Sequence, residues 1–546
     1  MVKLTDDYVS QEPRFTSAKI TVPKYNQQEI TDSANENPVW VHFGGGNLFR
    51  CFHAKIAQDL LNIGELKGGI IVAETYDEEV VDRIYKEYNN RILSVTMLED
   101  GTLKKELLAS VADAIYANQD RVDDWKKLVK IFENPSLQFV TLSITEKGYT
   151  VKDVNGELTS FVQNDIKAGP LAEKLQANMS LIATLLYKRF KAGSYPIAMV
   201  STDNFSENGK RFQENVMEVV NGWYKNNLVE KDFIEYLEDT TKVTFPWSMI
   251  DRITPNPAQS VADELKEEGF EDTQIIHTNK HTNIAPFGNT EETHYLVIED
   301  SFPNSRPDLD KAGVIFTDRE TVNDADQMKV TACLNPLHTA LAIFGNLLGY
   351  KSISAEMEDD DLKELVENLG YGEDLPVVKD PKIINPRAFI NELLTKRLPN
   401  KNIPDTPQRI ASDTSQKISI RYGVTINHYV ESDDLKATDL ECIPLIIAGW
   451  CRYLMAVDDK GNEFTPSPDP LLNEMQGYVA GIKLGDKVDA HNRLKEILSN
   501  ESIFGNDLYS IGLGSKVEEY FTKLISAEGA VRKTIKEVNE KVNYEF

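Results

Sequence analysis

The sequence predicts an α/β, doubly wound parallel-sheet domain followed by a mostly α-helical one. Three observations carry this reading. Compact apolar strands alternate with helical periodicity as far as about residue 310. A run of three glycines, Gly44 to Gly46, joins the first strong strand to a helix. Beyond residue 310 strand signals fade and period-3.6 patterns dominate. A chain of 546 residues, 41% hydrophobic, is too long for one core and apolar enough for two. The expected domains are residues 1–310 and 311–546.

In chain order, residues 1–36 are polar and mixed, which predicts an irregular arm on the first domain. Trp40 to Phe43 reads as a short buried strand. After the glycines, apolar residues at Phe49, Phe52, Ile56, Leu60 and Leu61 mark one face of a helix. A strand, glycine turn and helix start leave backbone N–H groups free to face a pyrophosphate. Gly44 and Gly46 occupy the first two positions of a G-x-G-x-x-G pattern, but Phe49 stands in the third. The expected cradle is Gly44, Gly45, Gly46, Asn47 and Leu48.

Residues 68–77 predict a second strand, with Glu74 or Asp77 placed to accept hydrogen bonds from an adenosine ribose. Residues 137–150 and 195–209 each hold a strand that breaks into polar residues. Thr145, Glu146, Asp203 and Asn204 therefore fall near carboxyl ends of strands, where ligands gather in such sheets. Residues 171–193 between them predict an amphipathic crossover helix. The second half carries helical segments around 330–350, 360–370, 386–398 and 442–457 and in the tail, with a Pro-rich surface loop at 462–470 and a connector at 501–514.

The net charge of −28 disfavours a nucleic acid or an anionic membrane as partner, though not a small anionic substrate. No apolar run is long enough to span a bilayer, and the polar first residues lack a signal-peptide core, so the expected location is the cytoplasm. Four scattered cysteines suit a reducing compartment. His277 and His281 have metal-like spacing, but their Asn/Thr/Gly/Pro-rich surroundings predict a polar loop. No metal site is expected.

Lys329, Asn335 and His338 lie close together in an otherwise apolar segment, the last two on one helical face. Interconverting a secondary alcohol and a ketone requires a group that exchanges the hydroxyl proton and donors that polarise the oxygen. A desolvated lysine suits the first task, amides and a neutral imidazole the second. The same residues also suit an ordinary helix start with a snorkelling lysine and a satisfied histidine.

Several blocks in order carry a resemblance: HFGGGNLFR (42–50), TLSITEKGY (141–149), STDNFSENG (201–209), FPWSMIDRITP (245–255), VIEDSF (297–302), KVTACLNPLHTALAIFGNLLGY (329–350) and RIASDTSQKI (409–418). Together they resemble the long-chain mannitol dehydrogenase family, which includes polyol 2-dehydrogenases and the fructuronate and tagaturonate reductases. The resemblance spans about residues 38–480. It implies an N-terminal Rossmann-type domain, a helical C-terminal domain, a substrate cleft between them, and metal-free hydride transfer between NAD(P)H and an open-chain sugar or sugar acid. It further implies Lys329 as general acid/base, Asn204 and Asn335 holding the reacting oxygen, and His338 orienting substrate. Glu146 and Asp251 would border the cleft, Thr145 the cofactor, and Arg397, Asp413 and Lys417 a polar region facing the site.

Two departures from the family pattern matter. Five residues, Val330 to Leu334, separate Lys329 from Asn335 where the family usually has four. In a regular helix the extra residue turns Lys329 by about 100°. A π-type bulge or a non-helical start is therefore expected there. The GGGNLFR loop stands closer to the uronate-reductase branch, which favours a sugar acid, with NAD ahead of NADP. A polyol 2-dehydrogenase and a catalytically silent nucleotide-binding relative are the alternatives.

Overall fold

Trp40–Phe43 forms strand β1, and every residue of it is buried. Ile70–Glu74 (β2), Val111–Tyr116 (β3), Phe139–Leu142 (β4), Ile197–Ser201 (β5) and Val243–Thr244 (β6) join it in one six-stranded sheet. The order is β3-β2-β1-β4-β5-β6 and every pair is parallel. The register sets Val41 beside both Ile71 and Val140. Strands this apolar on both faces need cover on both sides. Alternate residues divide accordingly. Val41, Phe43, Ile71 and Val140 pack with helices α1 (Asn178–Gly193) and α2 (Asn208–Lys225), while Trp40, Val72 and Val200 pack with Phe49, Phe52, Ile56 and Leu60.

These features belong to a computed structural model that describes residues 1–153, 155–542 and 544. The chain divides into two units, Met1–Asn323 and Asp324–Phe546. Strand Ile315–Thr317 pairs with Tyr295–Glu299, which ties the chain as far as Asn323 to the first unit.

The first 36 residues are not the irregular arm their polarity suggests. They contain helices Glu12–Ser17 and Gln27–Glu36, and a short strand, Ile20–Thr21, that pairs with Leu103–Leu108. Val2, Leu4, Tyr8, Phe15, Ile20, Ile30 and Ala34 are buried. A few well-spaced apolar residues outweigh the average polarity, because each lands in a core. The crossover helix begins at Asn178, seven residues later than expected from 171. The stretch beyond Phe49 opens as a π-helical turn, Phe49–His53, before the regular helix Ala54–Asn62.

The second unit has no strand among the described residues beyond an isolated bridge, Val457 to Glu463. Helix α3 (Asn335–Leu348) is buried along most of its length, and α4 (Cys442–Tyr453) is buried throughout. A buried carboxylate caps α4 from far away in sequence. Glu373 accepts N–H bonds from Glu441 (2.7 Å), Cys442 (2.7 Å) and Ile443 (2.9 Å), the orphan donors of that helix end. The expected connector at 501–514 contains one short helix, Glu501–Phe504.

Candidate active site

In the first unit the strand order reverses between β1 and β4, the place where such sheets receive ligands. The three glycines follow β1 there, each for a different reason. Gly44 has φ +104°, and a Cβ on it would stand 2.2 Å from the Ser143 carbonyl oxygen. Gly45 donates its N–H to Glu74 Oε2 (2.6 Å) and accepts from Tyr85 Oη (2.7 Å), so a side chain there would crowd both. Gly46 has nothing within 4 Å of a Cβ, so no protein atom demands a glycine. Among the described residues no acceptor meets the N–H groups of Gly46, Asn47 and Leu48. Open space above unpaired donors fits a dinucleotide pyrophosphate.

Beneath the turn lie two histidines that sequence reasoning passed over. His42 bonds Thr141 Oγ1 (2.7 Å) and Ser143 Oγ (2.8 Å) through its two ring nitrogens. His53 Nε2 bonds Thr202 Oγ1 at 2.8 Å. Burial pushes both pKa values down, that of His53 to about 3, so both rings are neutral and form the floor of the loop. Their place among wholly apolar neighbours, His42 inside the buried strand and His53 next to Phe52 in the buried turn, was the available signal.

The other first-unit candidates sit as follows. Glu74, 6% exposed, ends β2 and accepts from Gly45, Tyr76 (2.7 Å) and Asp77 (3.1 Å) N–H groups. Asp77 accepts from Thr278, Thr282 and the Glu79 N–H. Thr145 is exposed just past β4 in the left-handed region, φ +63°. Its N–H is held by Asp203 (2.9 Å), which also receives Ile144 N–H and Tyr149 Oη. Burial raises the Asp203 pKa. A β-branched residue in that conformation stores strain of a kind that gathers at functional sites. Asn204 is exposed three residues beyond β5. Glu146 pairs with Arg211 at 2.7 Å on the surface. Asp251 is buried at the end of strand Ser248–Asp251, in a separate three-stranded sheet. His277 ends the first strand of a small hairpin (Ile276–His277 with Asn283–Ile284) and His281 lies in its turn, and no group of three or more metal-ligating side chains occurs among the described residues.

In the second unit, Lys329 lies in a π-helical turn, Met328–Cys333, and Leu334 N–H bonds back to the Lys329 carbonyl at 3.1 Å. Here is the irregularity that the extra residue demands. The π turn takes up one residue more than an α turn, and after Leu334 alone α3 starts at Asn335, with Pro336 in its first turn. The Lys329 side chain is 2% exposed, with Nζ 3.7 Å from Asp326 Oδ1.

His338 Nε2 stands 3.5 Å from Asp405 Oδ2. Burial pushes the imidazole pKa down to about 4; Asp405 opposes the shift, and Arg409, Arg421 and Arg397 add to it. Arg409, bound to Asp405, and Arg421, bound to the next residue Thr339, are thus fixed beside His338, and Arg397 acts on it electrostatically. Arg421 donates to Thr339 on α3, and burial lowers its own pKa. Lys417 donates to the Ser412 carbonyl, and its pKa is lowered by burial and then by Arg421. Arg397 is buried in the π-helical turn Leu393–Arg397, whereas Asp413 is exposed with φ +54°. Arg409, which binds Asp405, and Arg421 were not singled out from sequence. The four-residue interval from Lys417 to Arg421 was the available clue.

A parallel sheet of this order with a glycine-rich first crossover is the dinucleotide-binding architecture of dehydrogenases. Residues 39–311 match the family model described as mannitol dehydrogenase Rossmann domain, and residues 322–524 the mannitol dehydrogenase C-terminal domain. The chain belongs to the mannitol dehydrogenase family of oxidoreductases. It is 50% identical to a D-mannonate oxidoreductase of Thermotoga maritima, over 98% of this chain and 99% of that one. A D-mannonate oxidoreductase of Escherichia coli is 27% identical over 86% of this chain and 89% of its own. The solved mannitol 2-dehydrogenase of Pseudomonas fluorescens, a ternary complex with NAD and D-mannitol, shares the fold with a TM-score of 0.72 at 24% identity, covering 99% of this chain and 100% of that one. Among the described residues no helix is long and apolar enough to cross a membrane.

Proposed function

We propose that this protein is an NAD(P)-dependent oxidoreductase that interconverts the secondary alcohol of an open-chain sugar acid and its ketone, D-mannonate and D-fructuronate being the pair to test first. The observation that carries the sugar-acid reading is the group of Arg397, Arg409 and Arg421 around His338. A polyol presents only hydroxyls, which need no such concentration of positive charge, whereas guanidinium groups pair with a carboxylate through charge-assisted bonds. The name of the half-identical relative supports the same substrate.

The bound nicotinamide supplies or accepts the hydride. Gly46, Asn47 and Leu48 offer the pyrophosphate their N–H groups, and Thr145 borders the cofactor. Lys329 takes up the hydroxyl proton on oxidation and returns it on reduction, so this proton transfer needs no metal ion. Asn204 and Asn335 donate to the reacting oxygen, and neutral His338 orients the sugar chain; Glu146 and Asp251 bind its hydroxyls. Arg397, Lys417 and Arg421 hold the carboxylate, with Asp413 alongside.

Absorbance at 340 nm with mannonate, fructuronate, mannitol and fructose tests the reading. Turnover of the acids with little of the polyols is expected, and Arg421→Met should raise KM for the acid about a hundredfold. Faster turnover of mannitol than of mannonate would refute it.

A further inference from the structure

The π turn that carries Lys329 is held from behind by groups that the proposed chemistry does not use. A π turn bonds a carbonyl to the N–H five residues on, as Lys329 is bonded to Leu334 (3.1 Å). For Thr331 that residue is Pro336, which has no N–H. Thr425 Oγ1, on the helix Val424–Glu431, reaches the Thr331 carbonyl at 3.4 Å. Tyr422 Oη, in the π-helical turn before that helix, donates to the Pro336 carbonyl at 2.7 Å.

Behind Thr425 lies Asp374, fully buried at the end of the π-helical turn Asn368–Asp374. Its Oδ1 is 3.1 Å from Thr425 Oγ1, and its Oδ2 has no hydrogen-bond partner among the described residues. A threonine hydroxyl has one hydrogen, so it cannot satisfy an ionised Asp374 and the Thr331 carbonyl together. A neutral Asp374 resolves the conflict. Its own hydrogen, on Oδ1, goes to Thr425 Oγ1, and the threonine hydrogen goes to Thr331. Burial, and after it the adjoining Glu373 carboxyl, raises the Asp374 pKa well above the ordinary carboxylate range, in keeping with that arrangement. The thiol of Cys333, in the same π turn as Lys329, is pushed up by burial and then by Asp374, so the acid lies against the turn itself.

We propose that Asp374, acting through Thr425, is a positioning residue for Lys329: the pair fixes the Thr331 carbonyl and with it the turn that presents the lysine. This rests on the reading of Lys329 above. The test measures the single-turnover hydride step from NAD(P)H to fructuronate, cofactor Kd and melting temperature of the full chain. Thr425→Val keeps the shape and loses the hydroxyl; the hydride step should fall about tenfold or more while cofactor Kd stays within about twofold. Thr425→Ser should restore the rate. Asp374→Asn, whose amide N–H still donates to Thr425, should stay within about threefold of wild type, whereas Asp374→Leu should match Thr425→Val. Because the two residues act in series, the double variant Asp374→Leu, Thr425→Val should be no slower than the slower single one. A wild-type hydride step in Thr425→Val, whatever its melting temperature, overturns the inference alone. So does failure of Thr425→Ser to restore the rate, an Asp374→Asn loss as deep as that of Thr425→Val, or losses that multiply in the double variant. If Asp374→Leu does not fold, the two Thr425 variants and Asp374→Asn decide. A wild-type rate in Lys329→Ala, or no hydride transfer by wild type, overturns the reading of Lys329 and the inference with it.

Discussion

Deleting Thr331 tests whether the π turn exists to absorb the residue that separates this chain from its family's spacing. Thr331 lies within the π turn, half-buried, and the bond from Leu334 N–H to the Lys329 carbonyl spans it. With one residue fewer, the same segment closes as an ordinary α turn, and Lys329 keeps its phase relative to Asn335. Turnover should stay within about tenfold of wild type, and thermal stability should hold or rise, because a strained turn has been relieved. Deleting Val330 and Thr331 together leaves no spare residue to absorb. Lys329 then turns by about 100°, and a side-chain tip 5 to 6 Å from the helix axis moves about 8 Å. A misplacement of about 1 Å costs roughly a hundredfold, so this variant should be as inactive as Lys329→Ala. Stopped-flow measurement of the hydride step, alongside cofactor affinity and melting temperature, separates lost chemistry from lost fold. A single deletion that folds and binds cofactor normally yet falls to the level of Lys329→Ala would refute the reasoning.

Other substitutions probe the remaining parts. Lys329→Ala should lower the chemical step by about three orders of magnitude or more with cofactor affinity nearly unchanged, measured as single-turnover rate against Kd. Gly46→Val should fold normally and lose cofactor affinity, since its Cβ enters open space, whereas Gly44→Ala should cost about 2 kcal/mol or more of stability, read by denaturant unfolding, since its Cβ meets Ser143 at 2.2 Å with φ at +104°. The unfolded chain protonates His338 near its ordinary value of 6.5, whereas the folded chain resists until about pH 4. Its contribution to stability is thus complete above about pH 6.5 and is lost as the pH falls toward 4. Between pH 7 and 5 the loss is about 2 kcal/mol, and His338→Gln should remove that much of the acid sensitivity in urea titrations at the two pH values.

The parallel sheet and the helical second half were legible because each strand and helix carries its own period. The order of the sheet follows from chain order and crossover rules once the glycine turn is placed. Lys329, Asn335 and His338 stood out as polar residues in an apolar stretch, and the spacing anomaly announced the π turn. Less visible were features that depend on partners distant in sequence. The buried positions in residues 1–36 have meaning only against Phe270 and its neighbours or, for Ile30 and Ala34, against the cluster of Trp40 and Val72, and the arginines acting on His338 come from three separate segments. Glu74 looked available from sequence because its partners are backbone N–H groups, which leave no trace in residue identity.

The carboxylate of Glu373 that closes the start of α4 has a consequence for how the chain acquires its structure. Helix α4 has no local side-chain cap, and its first donors wait for a group more than sixty residues earlier in the chain. A nascent α4 is therefore incomplete until the 368–374 turn docks on it, and the cost of closing that loop must be met before the contact rewards it. The second unit should assemble as one late, cooperative event and not helix by helix, and Glu373→Gln should speed its unfolding more than it slows its refolding.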